Sequence, residues 1–316
     1  MPYSNAHEVA RRLLGKTISR SSLYRLTRQA GKAIEPALQA APVPLIPPSK
    51  VTYAMADGLM LLMEEGYKET KLGRIFGADA LIASAVVKRG GHIDTSDYVA
   101  HVGSWSEFWA KWQVHLQAVV ADGSDLVFLS DGVVWLHEQL LKAYPDAVMI
   151  LDFYHAMEHV GEVAQAGVRQ ASKRQSWLDD MANLLLNSEL DQVMDRIRAL
   201  SISTEIGERV CGYIETNRHR MDYKAYRDGG LLIGSGAIES ANKAVVQARL
   251  KRAGQRWTKP GAQDVLNLRT CWMSGRWSIV ETYLEPHRYA MAAWLKCHTT
   301  NWNAPESNSL YFYVKL

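Results

Sequence analysis

The chain has 316 residues, 47% of them hydrophobic and 22% charged, and a formal net charge of only +3. That length and composition suit a soluble globular protein of one large domain plus a small one. They exclude a membrane span, since no apolar run approaches roughly 18 residues. The polar, basic first residues lack the apolar stretch of a signal peptide, and Cys211, Cys271 and Cys297 are too scattered for a disulfide framework or a cysteine zinc site. A reducing, cytoplasmic setting is therefore expected.

The charge is unevenly spread. Residues 1–35 carry Arg11, Arg12, Lys16, Arg20, Arg25, Arg28 and Lys32 against Glu8 and Glu35; residues 240–276 carry Lys243, Arg249, Lys251, Arg252, Arg256, Lys259, Arg269 and Arg276 against Asp264 alone. Two basic blocks on a near-neutral chain suggest a polyanion partner, though solvated helix faces have the same composition.

In chain order, "HEVARRLLGKTISRSSLYRLTRQAG" predicts two helices. Val9, Leu13 and Leu14 have helical spacing, Gly15 stops the first helix, and Ser19 caps a second whose Leu23 and Leu26 face inward. Arg20, Tyr24, Arg25 and Arg28 then point outward, as in a helix-turn-helix whose second helix enters the major groove; a plain packing hairpin has the same pattern. Residues 1–35 are assigned to this DNA-binding segment. Pro36, Pro42, Pro44, Pro47 and Pro48 predict an extended linker over 36–50.

Beyond the linker the pattern becomes strands at 51–63, 67–79 and 80–90, a helix over "SWSEFWAKWQVHLQAVVADG" with Phe108, Trp112, Leu116 and Val119 on one face, a strand ending at Asp131, a helix stopped before Pro145, and a strand ending at Asp152. The order β-β-β-α-β-α-β is that of a ribonuclease H-like α/β fold, a mixed five-stranded sheet in order 3-2-1-4-5. Residues 51–153 form the first part of this core. Residues 154–230 read as a helical insertion, 231–285 as a core helix and basic region, and 286–316 as a C-terminal tail.

Three carboxylates stand out. Asp57 interrupts the first apolar strand and Asp131 ends the fourth, where an unpaired carboxylate is costly. In the expected strand order the two are neighbours, and Glu239, on the helix after a Gly-rich turn, closes a triad. Three hard oxygen donors suit Mg²⁺ or Mn²⁺, and such a site holds two ions ~3.5–4 Å apart for in-line phosphoryl displacement. Each Asp-Gly pair also reads as a turn. Asp152 is either a further carboxylate of the site or a helix cap. His155 and His159 share a helix face, but Ala156 stands where a zinc protease has its Glu, which leaves a polar cluster at the insertion or a group near the pocket. Asn242 and Lys243, about a turn from Glu239, are placed to meet the scissile phosphate, Arg249, Lys251 and Arg252 to meet DNA further along, and Trp257 beside Arg256 to stack on an unpaired base.

The segments "SDGVVWLHEQLLKAYPDAVMILDFYHAMEHV" and "IGSGAIESANKAVVQARLKRAGQRWTKPGAQDVLNLRTCWMSGRW", with "ADG" at 56–58 and "KETKLGRIFG" at 68–77, resemble the DDE transposases of bacterial insertion sequences, above all the ISKra group related to Mutator-like transposases. The resemblance spans roughly residues 50–280. It implies a ribonuclease H-like core with a helical insertion, Asp57, Asp131 and Glu239 as the catalytic, metal-binding triad, and a nucleoid-associated protein acting as a homo-oligomer on element ends and target DNA. A shortened copy that only binds DNA, or a nuclease of the same fold without strand transfer, are the alternatives.

Overall fold

The computed structural model describes residues 2–284 apart from residues 16, 41–45, 84–90, 121–122, 132–133 and 201–203. The expected tail at 286–316 lies outside the described residues.

Two helices open the chain: α1 (Tyr3–Leu14) closes on Gly15 in the left-handed region, and Ser19 caps α2 (Arg20–Ala33) by accepting the Ser22 amide at 3.1 Å. The inward face differs in part from the expected one. Leu23 and Leu26 are half-buried, Val9 and Leu13 are exposed, and Ala10, Ser22 and Gly31 are buried. The reason is the partner: α2 packs against a long helix near the end of the chain, so close that a β-carbon on Gly31 would collide with the Asp264 backbone. Close backbone approach selects small residues at the contact and leaves leucines outside it. A second correction follows at once. Pro36 lies in the first turn of a short helix, α3 (Glu35–Gln39), where proline is tolerated; the extended linker does not begin at residue 36.

The central sheet has five strands. β1 (Val51–Met63) turns back into β2 (Gly66–Gly77). β3 (Leu81–Ala83) and β4 (Gly91–Ile93) pair only with each other in a separate ladder, and β5 (Asp97–Val102) returns to the main sheet beside β2. The third strand of the sheet is thus β5, not residues 80–90; of that expected strand, residues 84–90 lie outside the described residues. All six residues of β5 are buried, Asp97 and His101 among them, and these two polar side chains hide the apolar signal. After α4 (Trp105–Val120), β6 (Asp125–Ser130) runs parallel to β1; after α5 (Val134–Ala143), β7 (Val148–Leu151) runs parallel to β6. The resulting order, β5-β2-β1-β6-β7, is the expected 3-2-1-4-5.

Alternation along β1 divides the core. Ala54 and Ala56 face Phe108, Trp112 and Leu116 of α4 and Leu136 and Leu140 of α5. Tyr53, Met55, Leu59 and Leu61 face the opposite way, toward a helical layer. That layer comprises α6 (Phe153–Gly167), α7 (Ala171–Leu186), α8 (Leu190–Arg198) and α9 (Thr204–Asn217), packed together through Val160, Val163, Met181, Leu185, Val193, Ile197, Val210 and Ile214. It continues in α10 (Tyr223–Asp228). Then α11 (Gly236–Ala241), a π-helical turn (Asn242–Gln247) and α12 (Ala248–Leu250) follow without a break in the chain. The long helix that holds α2 is α13 (Lys259–Met273), and α14 (Ser278–Leu284) ends the described chain.

Candidate active site on the parallel strands

The register of the parallel strands puts the acids abreast. Met55 pairs with Leu129 between β1 and β6, and Ser130 pairs with Leu151 between β6 and β7. One step along the chain from the second pair stand Asp131 and Asp152; two steps from the first stand Asp57 and Asp131. Side chains two apart on a strand share a face, so Asp57 continues the Tyr53–Met55 side, the one covered by the helical layer. Asp57-Gly58 is therefore mid-strand and no turn. A β-carbon on Gly58 would meet the end of the Glu69 side chain of β2.

Burial raises the carboxyl of Asp57, the Asp131 charge raises it further, and Glu239 adds to it, so the group is pushed up to about 6 against hydrogen bonds from the Gly58 amide and Asn242. The charges of Asp131 and Glu239 thus both reach Asp57 although the three lie far apart in sequence. Asn242 is 3% exposed and donates from Nδ2 to Asp57 Oδ2 at 2.6 Å. It begins the π-helical turn three residues after Glu239, so one face of this helical segment carries both the exposed acid and the donor. π-turns inside helices are frequent at functional sites because the extra residue re-aims side chains.

Asp152 caps α6, accepting the Tyr154 amide at 2.8 Å, and it also accepts a hydrogen bond from the Ser235 hydroxyl. Ser235 in turn stands 3.4 Å from Glu239 Oε1. The "IGSG" stretch is anchored to the strands by backbone bonds: Phe153 N donates to Ile233 O at 2.9 Å, and Leu232 N to Tyr53 Oη at 3.1 Å. Arg74 on β2 reaches across to the Ala237 carbonyl at 2.8 Å. Three contacts thereby orient the helix that bears Glu239. Ser235 had a sequence signal, one helical turn before the acid in a Gly-rich turn; Arg74, a buried cation within a strand, had none.

From the helical layer, Arg220 is 3% exposed and bonds Asn217 Oδ1, while its Nε and Nη1 meet no acceptor among the described residues. Burial pulls its guanidinium down, and Asp131, Tyr213 and Tyr223 oppose that shift. His155 and His159 are 4.9 Å apart and lean on Tyr213 of α9, His159 at 4.3 Å and His155 at 6.3 Å. Their carboxylate neighbours are Glu158 and Glu162 of the same helix. The pair joins α6 to α9. Among the described residues no three His, Cys, Asp or Glu side chains are gathered as a ready-made metal site. The donor chemistry at Asp57 nonetheless fits a hard divalent cation, because three oxygen acids crowd one field that a cation relieves.

With this geometry in hand, the chain can be set beside known proteins. It is similar to a UPF0236 protein. That relative, the UPF0236 protein in vanSb 3'region of Streptococcus gallolyticus, is 24% identical over 302 residues, covering 91% of this chain and 64% of its own length. The chain therefore spans less than two thirds of the curated relative. A solved structure, the Drosophila P element transposase strand transfer complex, aligns over 86% of this chain and 75% of its own at 10% identity and a TM-score of 0.27. At that TM-score the alignment carries no weight for the fold. No family model matches the chain.

The basic residues divide into two sets. Arg20, Arg25, Lys243, Lys251, Arg252 and Arg256 are exposed. Arg28 is ion-paired to Asp264 of α13, and Arg249, 6% exposed, lies between the rings of Tyr3 at 4.5 Å and Trp257 at 5.0 Å. Arg28 is thus engaged by an acid, Arg249 by two rings, and Asn242 by Asp57. Trp257 is itself buried, donating from Nε1 to Leu250 O at 3.0 Å. No described helix is long and apolar enough to cross a membrane.

Proposed function

We propose that this chain is a transposase of a bacterial insertion sequence, of the ISKra type related to Mutator-like enzymes, built on a ribonuclease H-like sheet with Asp57, Asp131 and Glu239 as its triad. The observation that carries the reading is the row of carboxylates on adjacent parallel strands, with Asp57 under the combined field of Asp131 and Glu239.

Mg²⁺ or Mn²⁺, as two ions held by these three acids, would supply an activated water and neutralise charge at a transferring phosphoryl group. The chain's own residues prepare the site. Asn242 fixes the rotamer of Asp57. Ser235 gives its one hydroxyl hydrogen to Asp152 and so ties the start of α11, which bears Glu239, to the cap of α6. Arg74 holds α11 against the sheet. Positioning of this kind supplies much of the barrier reduction in phosphoryl transfer. Exposed Lys243 on the helical run, with Lys251, Arg252 and Arg256 in the loop beyond it, suits a DNA backbone; Arg20 and Arg25 on α2 suit a second stretch. The protein then acts as a homo-oligomer on paired element ends, cutting to free a 3′-hydroxyl and joining it to target DNA.

The test uses an element-end duplex with Mg²⁺. Asp57→Asn, Asp131→Asn and Glu239→Gln are expected to lose cleavage and joined product while still shifting the duplex on a gel. Full cleavage by all three variants would sink the triad.

A further inference from the structure

A cleft of about 270 Å³ opens between the first two helices and the loop that follows α12, lined by Tyr3, Tyr24, Glu64, Arg249, Gln255 and Arg256. The loop is pinned to the end of β1: Glu64 N donates to Trp257 O at 2.9 Å and Met63 bridges to Trp257. The cleft is thus a built feature of the fold, a little smaller than the ~300–1,000 Å³ of sites for drug-sized ligands, and equal to roughly nine waters at ~30 Å³ each.

Its walls hold unmet hydrogen-bonding capacity. Gln255 Oε1 is buried with no hydrogen-bond partner among the described residues, and Arg249 Nη2 likewise, although the Tyr3 hydroxyl interacts with the Arg249 guanidinium. Arg249 is more than nine-tenths buried, with Tyr3 and Trp257 packed on its guanidinium, so its edge is left to donate. The Gln255 amide oxygen, an acceptor, lines the same cleft. Tyr24, 39% exposed and set edge-on to Tyr3 at 5.8 Å, offers an aromatic surface at the mouth. An orphaned buried donor or acceptor is unfavourable, and a ligand supplying both partners would relieve it.

A phosphate does not suit this lining, because Glu64 and Gln255 Oε1 present negative or acceptor atoms to it. A planar, neutral group with a donor and an acceptor side by side does. Each nucleobase has that edge once it is unpaired. Arg249 lies ten residues after Glu239 on one helical run, about 15 Å at 1.5 Å per residue, or about four to five nucleotides at ~3.4 Å each.

We propose that this cleft holds one extrahelical or single-stranded base of the bound DNA, a few nucleotides from the triad, with Arg249 and Gln255 engaging its edge and Tyr24 its face. The proposal rests on the reading of the chain as a DNA-binding protein. It adds a base-holding site to the exposed basic residues that meet the backbone.

The experiment measures binding of the full chain by fluorescence anisotropy in EDTA, so that no cleavage intervenes. One probe is a blunt duplex; the other is the same duplex with a single-stranded 3′ extension of about eight nucleotides. The extension is expected to tighten binding about tenfold, within the range of one base–aromatic stack. Replacing one extension nucleotide at a time by an abasic residue is expected to cancel that gain at one or two adjacent positions. Gln255→Leu is expected to cancel it too, with blunt-duplex binding unchanged. Equal affinity for both probes overturns the proposal. So does a gain that no single abasic position removes, which would mark backbone contact instead. Failure to bind either probe overturns the proposal together with the DNA-binding reading beneath it. Should Gln255→Leu fold poorly, the abasic scan on the unaltered chain decides alone.

Discussion

Asp57 and Asp131 stand abreast on neighbouring parallel strands, two residues beyond the Met55–Leu129 pair and on the face that the helical layer covers. Their proximity has a price in the absence of a cation, and that price is measurable.

An acid whose folded pKa exceeds its unfolded value near 3.9 takes up a proton on folding between the two values. For Asp57 the folded value is about 6. The penalty is therefore absent below about pH 4, grows between 4 and 6, and is complete above 6. Its ceiling is ~3 kcal/mol at 1.36 kcal/mol per pH unit, reduced to about 1–2 kcal/mol by solvent screening of a side chain that is only partly buried. Asp57→Asn is expected to raise Tm by roughly 1.5–3 °C at pH 7.5 in EDTA and to leave it unchanged at pH 4. Adding Mg²⁺ at pH 7.5 is expected to stabilise the unaltered chain more than the variant. A gain of equal size at both pH values would show that the raised carboxyl is not its source.

Asn242 is the group that holds Asp57. A hydrogen bond to a charged partner contributes about 1.5–3 kcal/mol, so Asn242→Ala is expected to lower strand cleavage roughly 10- to 100-fold. The pH midpoint of the activity should rise as well, because Asn242 opposes the upward shift of Asp57. Single-turnover cleavage across pH 5–9 reads both. A lower rate with an unmoved midpoint would assign Asn242 to packing alone.

Asp152 is read as a cap and a partner of Ser235. Asn caps a helix about as well as Asp. Asp152→Asn is therefore expected to keep stability within about 1 kcal/mol and to retain cleavage, whereas Asp152→Ala loses about 1–2 kcal/mol. Ser235→Ala is expected to leave α6 capped but to slow cleavage, since the start of the helix that bears Glu239 loses its tie to the cap. Chemical denaturation and cleavage assays on the same preparations separate the effects. Loss of all cleavage in Asp152→Asn at unaltered stability would make Asp152 a ligand of the site.

Gly31 decides whether the first two helices stand apart from the core. Its missing β-carbon lets α2 touch the Asp264 backbone, its carbonyl accepts from Asn267 Nδ2 at 3.0 Å, and Arg28 pairs with Asp264 nearby. Gly31→Val is expected to destabilise the chain by about 1–3 kcal/mol through overpacking, in a single cooperative transition. Separate melting of the first helices, with the core unaffected, would instead show an independent module.

Much of the candidate site was legible because its signals are local. Asp57 and Asp131 are conspicuous as acids at the ends or middles of apolar strands, and Glu239 as an acid just past a Gly-rich turn. Element order then yielded the strand order 3-2-1-4-5. The misreadings share one cause. Residues 80–90 looked apolar enough for the sheet, yet β5 won the place with Asp97 and His101, because Asp97 finds partners in His115 at 2.5 Å and Arg276 at 3.1 Å. Burial of a charge depends on who is near, and neighbours distant in sequence are invisible to a local pattern. The ion pair of Arg28 and the ring contacts of Arg249 were hidden for the same reason: an arginine's sequence context does not reveal an acid or a pair of rings brought in from elsewhere.

The sequence by itself determined the elements, their order and the residue types able to do phosphoryl chemistry, since periodicity, caps and acid placement act over a few residues. Only the tertiary structure decided which of those residues face one another. Register set Asp57 beside Asp131, the π-helical turn aimed Asn242 at Asp57, and the packing of α2 on α13 took Arg28 out of solvent while leaving a cleft beside Arg249. Each of these is a balance of desolvation against a partner supplied from far along the chain, and that balance exists only once the chain has folded.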